Sequence, residues 1–422
     1  MRVSALLLSF GIGLVAVGSG RAQNVAITAD HLYSMDGAAP QGGPGLVLIR
    51  DGKIEAVRSG ANLATPAGYQ ALHGAYVTPG LIDVDTTTGI SGAYNISADQ
   101  DQDESTDPNT ADVRVRDSLN PQDPLYRHVN SFGVTTLQVA PGERNPIAGV
   151  AGIFKTVGPQ SGIATVDQLA LREESAMVFN LGEGPKDTYG SARKAPMTRM
   201  KTAEMIRHAL LDAQQYRAKL DKWVKDGSDA SKQPALDTRL EVLSQVTSGK
   251  LPAIFNAYRA DDIDTAIRIG TEFHLKYSIA SATEGYLITD AIRKSGVPVL
   301  LGPVMQAPFK HETANASYEN AALVSQAGIP MALMTGYEAY VPKSRILVFE
   351  AAIAAANGLG LENALRAITI SAAKLLGVDG RLGSLTAGKD ADVVVFDGDP
   401  FEYTSHVQTV LVGGAVTYQR IP

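Results

Sequence analysis

Short apolar runs that alternate with helical segments fill the middle of the chain, and they constrain its fold more than any other feature. The runs occupy residues 81–85, 134–139, 177–181, 253–257, 277–280, 297–301 and 331–334. Residues 202–224 repeat apolar side chains at helical spacing. Strand-like runs spaced by helices are typical of parallel βα units. We therefore predict an α/β fold whose βα units close into a barrel.

Both ends of the chain have a different pattern. Residues 25–57 alternate apolar and polar side chains around Gly-rich turns, including one at Asp51-Gly52. Near the other end, three strand-like runs at 392–396, 407–412 and 415–418 are separated by Asp-Gly and Gly-Gly turns. We predict a small β domain that is assembled from the two chain ends.

The first 22 residues have the features of a secretory signal. Arg2 precedes a largely apolar stretch at 5–17, and Gly20 and Ala22 are small residues suited to a cleavage site. The stretch is too short to span a bilayer, so we predict no membrane span. We predict export to the periplasm or the extracellular space. The chain has no Cys, which excludes both a lipid anchor on Cys and disulfides.

Charge and histidine content exclude two classes of function. Lys and Arg number 37 against 44 Asp and Glu, for a net charge of -7, and no basic run interrupts the sequence. Nucleic-acid binding is therefore not expected. No two histidines lie within four residues of each other, which excludes a metal site built on a His-x-His or His-x-x-x-His pair. The seven are His31, His73, His128, His208, His274, His311 and His406.

Four sequence motifs resemble those of the amidohydrolase superfamily, and most closely its imidazolonepropionase-like exported branch. They are TPGLID at 78–83, GVTT at 133–136, NPIAG at 145–149 and GSLTAGKDAD at 383–392. The resemblance implies a metal-bearing (β/α)8 TIM-type barrel with a small β-sandwich domain, and hydrolysis of C–N bonds in amides, cyclic amides or dipeptides. The implied boundaries are 23–78 and 375–422 for the sandwich and 79–374 for the barrel.

The family's metal ligands are replaced in this chain. The family has His-x-His after the first barrel strand, often a carboxylated Lys on a middle strand, His after each of the next two, and Asp after the last. The corresponding residues here are Asp85 and Thr87, Val178, Asn256 and Tyr258, Ser281, and Gly336, which Tyr337 follows. We therefore predict no metal site and no cofactor, although the family carries one or two divalent metals such as Zn²⁺.

The preferred hypothesis is a metal-free homologue whose barrel mouth binds a small ligand. In another form of this hypothesis, the protein supports an active relative as a partner. It could also form a homo-oligomer. The replaced positions would then line a polar cavity. For His311, in the loop after Pro303, a place on the loop surface and a place in the cavity lining both stay open.

The alternative is an active C–N hydrolase in which Asp85 and other oxygens hold a divalent metal. Asp83 and Asp85 would share one strand face, with Val84 directed toward the helices, and Glu284 and Glu338 would complete the cluster. Such ligands suit Mg²⁺, Mn²⁺ or Ca²⁺.

For two further motifs we predict neither a catalytic nor a metal-binding role. The acidic segment 99–107 departs from a calcium loop at Glu104 and Thr110, and we expect a solvated lid over the barrel. Lys155 lies in a Gly-rich segment with no neighbouring cation to lower its pKa, so a catalytic role is not expected.

Overall fold

The computed structural model describes residues 24–37, 41–157, 164–337 and 342–421. The signal segment at 1–22 lies outside the described residues, so export stays a prediction. None of the helices in these ranges combines the length and the apolarity that crossing a bilayer requires.

The first sheet has seven strands that come from both chain ends. They are β1 (Val25–Leu32), β2 (Gly43–Arg50), β3 (Lys53–Ser59) and β4 (Gln70–Pro79), together with the three final strands of the chain. From one edge to the other, the order is the three final strands from last to first, then β4, β1, β2 and β3. At the β2–β3 turn Asp51 and Gly52 both have positive φ, 50° and 78°, as a tight Asp-Gly hairpin turn requires. The predicted β domain from both ends is thus confirmed.

The second sheet is the barrel. Its eight strands are β5 (Leu81–Thr86), β6 (Val134–Val139), β7 (Ile147–Lys155), β8 (Ala170–Asn180), β9 (Ala253–Ala257), β10 (Tyr277–Ser281), β11 (Val299–Leu301) and β12 (Met331–Leu333). They pair in sequence order, and a bridge between Thr86 and Gly336 joins the first strand to the end of the last. The three final strands of the chain are β13 (Val393–Phe396), β14 (Val407–Val412) and β15 (Ala415–Gln419).

One strand of the barrel departs from the predicted parallel arrangement. The β7 strand runs antiparallel to both β6 and β8. Only residues 140–146 join β6 to β7, and they contain no helix. A parallel neighbour would need a crossover of about a dozen residues or more, so the short connection forces the chain to reverse.

Eleven α-helices are described alongside the strands. They are α1 (Pro124–Ser131), α2 (Val166–Leu169), α3 (Glu183–Ser191), α4 (Arg199–Lys225), α5 (Thr238–Thr247), α6 (Ala260–Glu272), α7 (Thr289–Ser295), α8 (Asn320–Gln326), α9 (Leu347–Ala354), α10 (Leu361–Ala367) and α11 (Ile370–Leu375). The helix predicted at 202–224 is confirmed within α4. Thr198 caps the N-terminus of α4, and its hydroxyl accepts a hydrogen bond from the Lys201 amide at 3.2 Å.

Strand residues divide between two apolar layers. Phe255 packs with Ile263 of α6 in the layer between strands and helices. Val84 instead packs with strand residues such as Leu300 and with Ala372 of α11, in the barrel interior. The prediction that Val84 points toward the helices is therefore wrong. A register shift between Asp83 and Thr86 breaks the simple alternation of strand side chains.

Lys155 links the two sheets. Its ammonium contacts the carboxylate of Asp392 and lies 3.8 Å from that of Asp390. Asp390 also binds Lys53 at 2.6 Å and Arg381 at 2.8 Å. The lysine at the end of β7 is therefore held in an ion network at the junction of barrel and β domain, as its expected non-catalytic role requires. The domain boundaries at residues 78 and 375 stay predictions.

Candidate functional site

Asp85 is the central acidic group at the carboxyl end of the barrel strands. Its side chain is 5% exposed, and its Oδ2 atom has no hydrogen-bond partner among the described residues. Burial raises the pKa of Asp85 well above its ordinary value, and the nearby charges of Glu143 and Asp83 raise it further. All the causes act in the same direction, and no positive charge opposes the rise in the pKa of Asp85.

Glu143 and Tyr258 form a buried pair beside Asp85. Glu143 follows β6, and Tyr258 follows β9. The Tyr258 hydroxyl lies 2.7 Å and 2.8 Å from the two oxygens of Glu143, to which it donates. Burial raises the pKa of Glu143 to about 7, although Lys310 and the Tyr258 hydrogen bond oppose the shift. Burial and the Glu143 carboxylate also raise the pKa of Tyr258.

Asn256 takes part in a chain of amides. Its Nδ2 donates to Asn180 Oδ1 at 2.7 Å, and Asn180 Nδ2 donates to the backbone oxygen of Asn145 at 2.8 Å. The Asn145 Oδ1 atom accepts from the Tyr189 hydroxyl at 2.7 Å. These contacts hold Asn256 in one orientation, with its amide committed to the protein.

The remaining replaced positions contribute hydroxyl, aliphatic and backbone groups. The Thr87 hydroxyl oxygen is buried and has no hydrogen-bond partner within the described part of the chain. The Ser281 side chain lies beside Tyr258, and its hydrogen bond to Tyr258 opposes the rise in the pKa of that phenol. Val178 packs in a small aliphatic cluster with Ala140, Ala148 and Ala151. Gly336 has a positive φ of 75°, and its amide donates to the Asp85 backbone oxygen at 3.0 Å. That contact closes the barrel at the point where the family carries its catalytic Asp.

The acidic segment 99–107 reaches the barrel mouth through Asp103. The Tyr337 hydroxyl donates to Asp103 Oδ2 at 2.8 Å, and the Arg144 amide donates to Oδ1 at 3.1 Å. The Asp103 side chain is 6% exposed, so this part of the expected solvated lid is packed against the barrel. Burial raises the pKa of Asp103, although these hydrogen bonds oppose it.

A cavity of about 330 Å³ opens beside this centre. Its wall includes Tyr258, Thr335, Tyr337, Met305, Phe309, Lys310, Lys343 and Glu350. His311 is exposed in the adjoining loop and is not part of the wall. Of the residues proposed from the sequence, Tyr258 and Tyr337 therefore line the cavity directly, while Asp85 and Asn256 lie buried in the strand ends around it.

Glu350, on α9, is a site residue that sequence reasoning missed. It is 1% exposed; its Oε2 accepts from the Met305 amide at 2.9 Å, and its Oε1 has no hydrogen-bond partner among the residues described. Burial raises its pKa to about 7. Glu143 was missed as well, although its position directly after a predicted strand was a usable signal. Nothing in the local sequence distinguishes Glu350.

Among the described residues, the carboxylates of the alternative hypothesis are held by separate protein partners. Glu284 accepts from the Ala260 amide and from Asn315 Nδ2, both at 2.7 Å. Asp83 accepts from the amide and the hydroxyl of Thr335, at 3.1 Å and 2.5 Å. Glu338 lies outside the described residues. In the four described ranges, no group of three or more His, Asp or Glu side chains is arranged to hold a metal ion.

Comparison with known proteins identifies the family. An amidohydrolase from Thermotoga maritima MSB8 is 30% identical, with a TM-score of 0.86, over 94% of this chain and 100% of that chain. The chain belongs to the amidohydrolase superfamily. The model of the amidohydrolase family matches residues 237–418. The fold class and the resemblance predicted from the sequence are thereby confirmed.

Two curated relatives agree with this assignment. The amidohydrolase tasK of Hapsidospora irregularis is 27% identical over 396 residues, which is 89% of this chain. An imidazolonepropionase of Alkaliphilus oremlandii is 27% identical over 125 residues, or 28% of this chain. The matches span 39% and 30% of the lengths of these relatives.

The residues of this amidohydrolase do not fit the metals of its family. Divalent zinc binds imidazole, thiolate or carboxylate ligands, usually four in number. Of the replaced positions, only Asp85 offers such a group, since Asn256 is committed to Asn180 and Val178 has no donor atom. Of the two buried carboxyls, Glu143 is influenced by the charge of Lys310, whereas no cation lowers the pKa of Asp85.

Proposed function

We propose that this amidohydrolase homologue does not hydrolyse C–N bonds through a metal and instead binds a small molecule in its barrel mouth. The observation that carries the proposal is the state of the ligand positions: Asn256 is held in an amide chain, Val178 lies among alanines and Gly336 donates to Asp85. A polar cavity with aromatic walls adjoins them, as small-molecule sites commonly do. We further propose an exported protein that acts alone, as a homo-oligomer, or beside an active relative.

An active C–N hydrolase is the second candidate, and one observation favours it. Asp85 Oδ2 is a buried carboxylate oxygen with no hydrogen-bond partner in the described ranges, which leaves it available to a ligand. The activity would then be the hydrolysis of a cyclic amide or a dipeptide, with Asp85 as the indispensable group.

Metal analysis separates these two functions. We expect protein purified without chelators to contain well under one equivalent of transition metal, because the strand ends provide one carboxylate and no imidazole. We also expect no metal-stimulated turnover of cyclic amides or dipeptides with added Zn²⁺ or Mn²⁺. The measurements are elemental analysis after dialysis and a hydrolysis screen.

The matched variants are Asp85→Asn, at the centre, and Asp187→Asn, at an exposed position on α3. Stoichiometric metal that survives dialysis, together with turnover that is lost in Asp85→Asn and kept in Asp187→Asn, would establish the hydrolase and reject the metal-free function.

A further inference from the structure

Glu350 places a carboxyl oxygen without a partner at the wall of the mouth cavity. The Met305 amide satisfies Oε2, whereas Oε1 is shielded from solvent and has no hydrogen-bond partner among the described residues. A buried polar atom of this kind carries a desolvation cost that a donor from a ligand would offset. Glu350 belongs to none of the family's ligand positions, so the oxygen is not explained by the replaced metal site.

The surroundings of Glu350 favour a positively charged donor. Tyr258, Tyr337 and the 92% exposed Phe309 contribute aromatic rings to the same cavity. Aromatic faces attract ammonium and guanidinium groups, and a carboxylate forms a stronger hydrogen bond with a charged donor than with a neutral one. The cavity therefore suits an amine.

The cavity also carries cations of its own. Lys310 and Lys343 line it together with Glu350, and the charge of Lys343 acts against the rise in the pKa of Glu350. The Lys310 ammonium lies 3.7 Å from Glu312 Oε1, beyond ordinary hydrogen-bond length, and its side chain is 52% exposed. A simple monocation would be repelled by these positive charges, whereas a ligand that also carries a carboxylate would be attracted to Lys310.

The geometry points to a small zwitterion as the ligand, with its amine against Glu350 and its carboxylate against Lys310. A volume of about 330 Å³ is at the lower end of small-molecule sites and is enough for a ligand of the size of a short amino acid. This inference rests on the proposed function, since it assigns the ligand of the same metal-free cavity.

Binding of matched probes tests the charge pattern. The zwitterions are β-alanine, γ-aminobutyrate and ε-aminocaproate; hexylamine carries the amine alone and hexanoate the carboxylate alone. We expect at least one zwitterion to bind wild-type protein roughly tenfold or more tightly than either singly charged analogue, by calorimetry or thermal shift, because it makes both charge-assisted contacts. Equal binding of zwitterion and analogues, or no binding of any zwitterion at tens of millimolar, overturns the inference.

Two variants identify the residues that the ends of the ligand contact. Glu350→Gln keeps an acceptor for the Met305 amide and should weaken binding of the tightest-binding zwitterion to about the affinity of hexanoate. Lys310→Gln should weaken binding of the same zwitterion to about the affinity of hexylamine. Glu319→Gln and Lys294→Gln make the same charge changes at exposed positions outside the cavity wall and should leave binding unchanged.

Unchanged selectivity in both Glu350→Gln and Lys310→Gln would reject the assigned contacts even if wild-type protein binds the zwitterion. Since Lys310 is half exposed, its variant should fold normally and keep the test decisive if Glu350→Gln is unstable. Metal content and hydrolysis are measured separately from zwitterion binding. The zwitterion can therefore be rejected while the metal-free function stands, and the metal-free function can be rejected while the zwitterion binds.

Discussion

Replacing Glu143 by glutamine should change how the stability of the protein depends on pH. Burial raises the pKa of Glu143 from 4.5 to about 7 in the folded protein. Below pH 4.5 the group is protonated in both the folded and the unfolded chain. Between pH 4.5 and 7 only the folded chain keeps the proton, so stability falls as the pH rises. Above pH 7 the folded protein carries the full cost of a buried carboxylate.

The size of the effect follows from the shift. A pKa change of about 2.5 units corresponds to about 3 kcal/mol, since each unit is worth 1.36 kcal/mol. Wild-type protein should lose about this much unfolding free energy from Glu143 alone between pH 4.5 and pH 8. The amide introduced by Glu143→Gln cannot ionise, so the variant lacks this loss. The difference in unfolding free energy between Glu143→Gln and wild type should therefore increase by about 3 kcal/mol, in favour of the variant, from pH 4.5 to pH 8. This increase does not depend on how the two proteins differ in stability at low pH.

Urea unfolding at several pH values between 4.5 and 8 measures the difference directly. The Tyr258→Phe variant is a control with the opposite expected effect on the pKa of Glu143. Because it removes the hydrogen bond that lowers this pKa, the loss of stability should extend to higher pH. A constant difference between wild type and Glu143→Gln across the interval would refute the reasoning, because it would show that Glu143 titrates alike in folded and unfolded chains.

Two further predictions concern the acidic segment and the ion network. Millimolar Ca²⁺ should leave the melting temperature unchanged, because Asp103 in segment 99–107 is already bound to Tyr337; a shift that Asp101→Asn abolishes would contradict this. Lys155→Met should lower the unfolding free energy by about 3–5 kcal/mol in calorimetry, because it leaves Asp392 buried without its cation; a loss under about 1 kcal/mol would show that the network is dispensable.

The barrel could be predicted because its strands have a local signature. The apolar runs at 134–139 and 253–257 coincide with β6 and β9. Such runs bury both faces of a strand, so their composition identifies them without knowledge of their neighbours. The β7 strand was not predicted, since glycines interrupt its apolar residues, and its direction depends on the short connection before it.

The candidate site was predictable only in part. The sequence motifs identified Asp85, Asn256 and Tyr258 as residues at the ends of barrel strands. This could be predicted because the position of a strand end in the barrel follows from the order of the strands along the chain. Glu143 and Glu350 come from a loop and a helix, where a side chain meets the cavity only through the packing of other elements. Their raised pKa values arise from burial, which is a property of the assembled fold and not of the local sequence.

The pairing of β4 with β13 has a consequence for synthesis. Residues 76–79 bond to residues 393–396, so β4 has an open edge until more than 300 further residues have been made. At ribosomal rates of about 5–20 residues per second this takes roughly 15 to 60 seconds. An unpaired apolar edge invites association with other nascent chains. The growing polypeptide therefore depends on a chaperone, or on staying unfolded, until its last strands emerge.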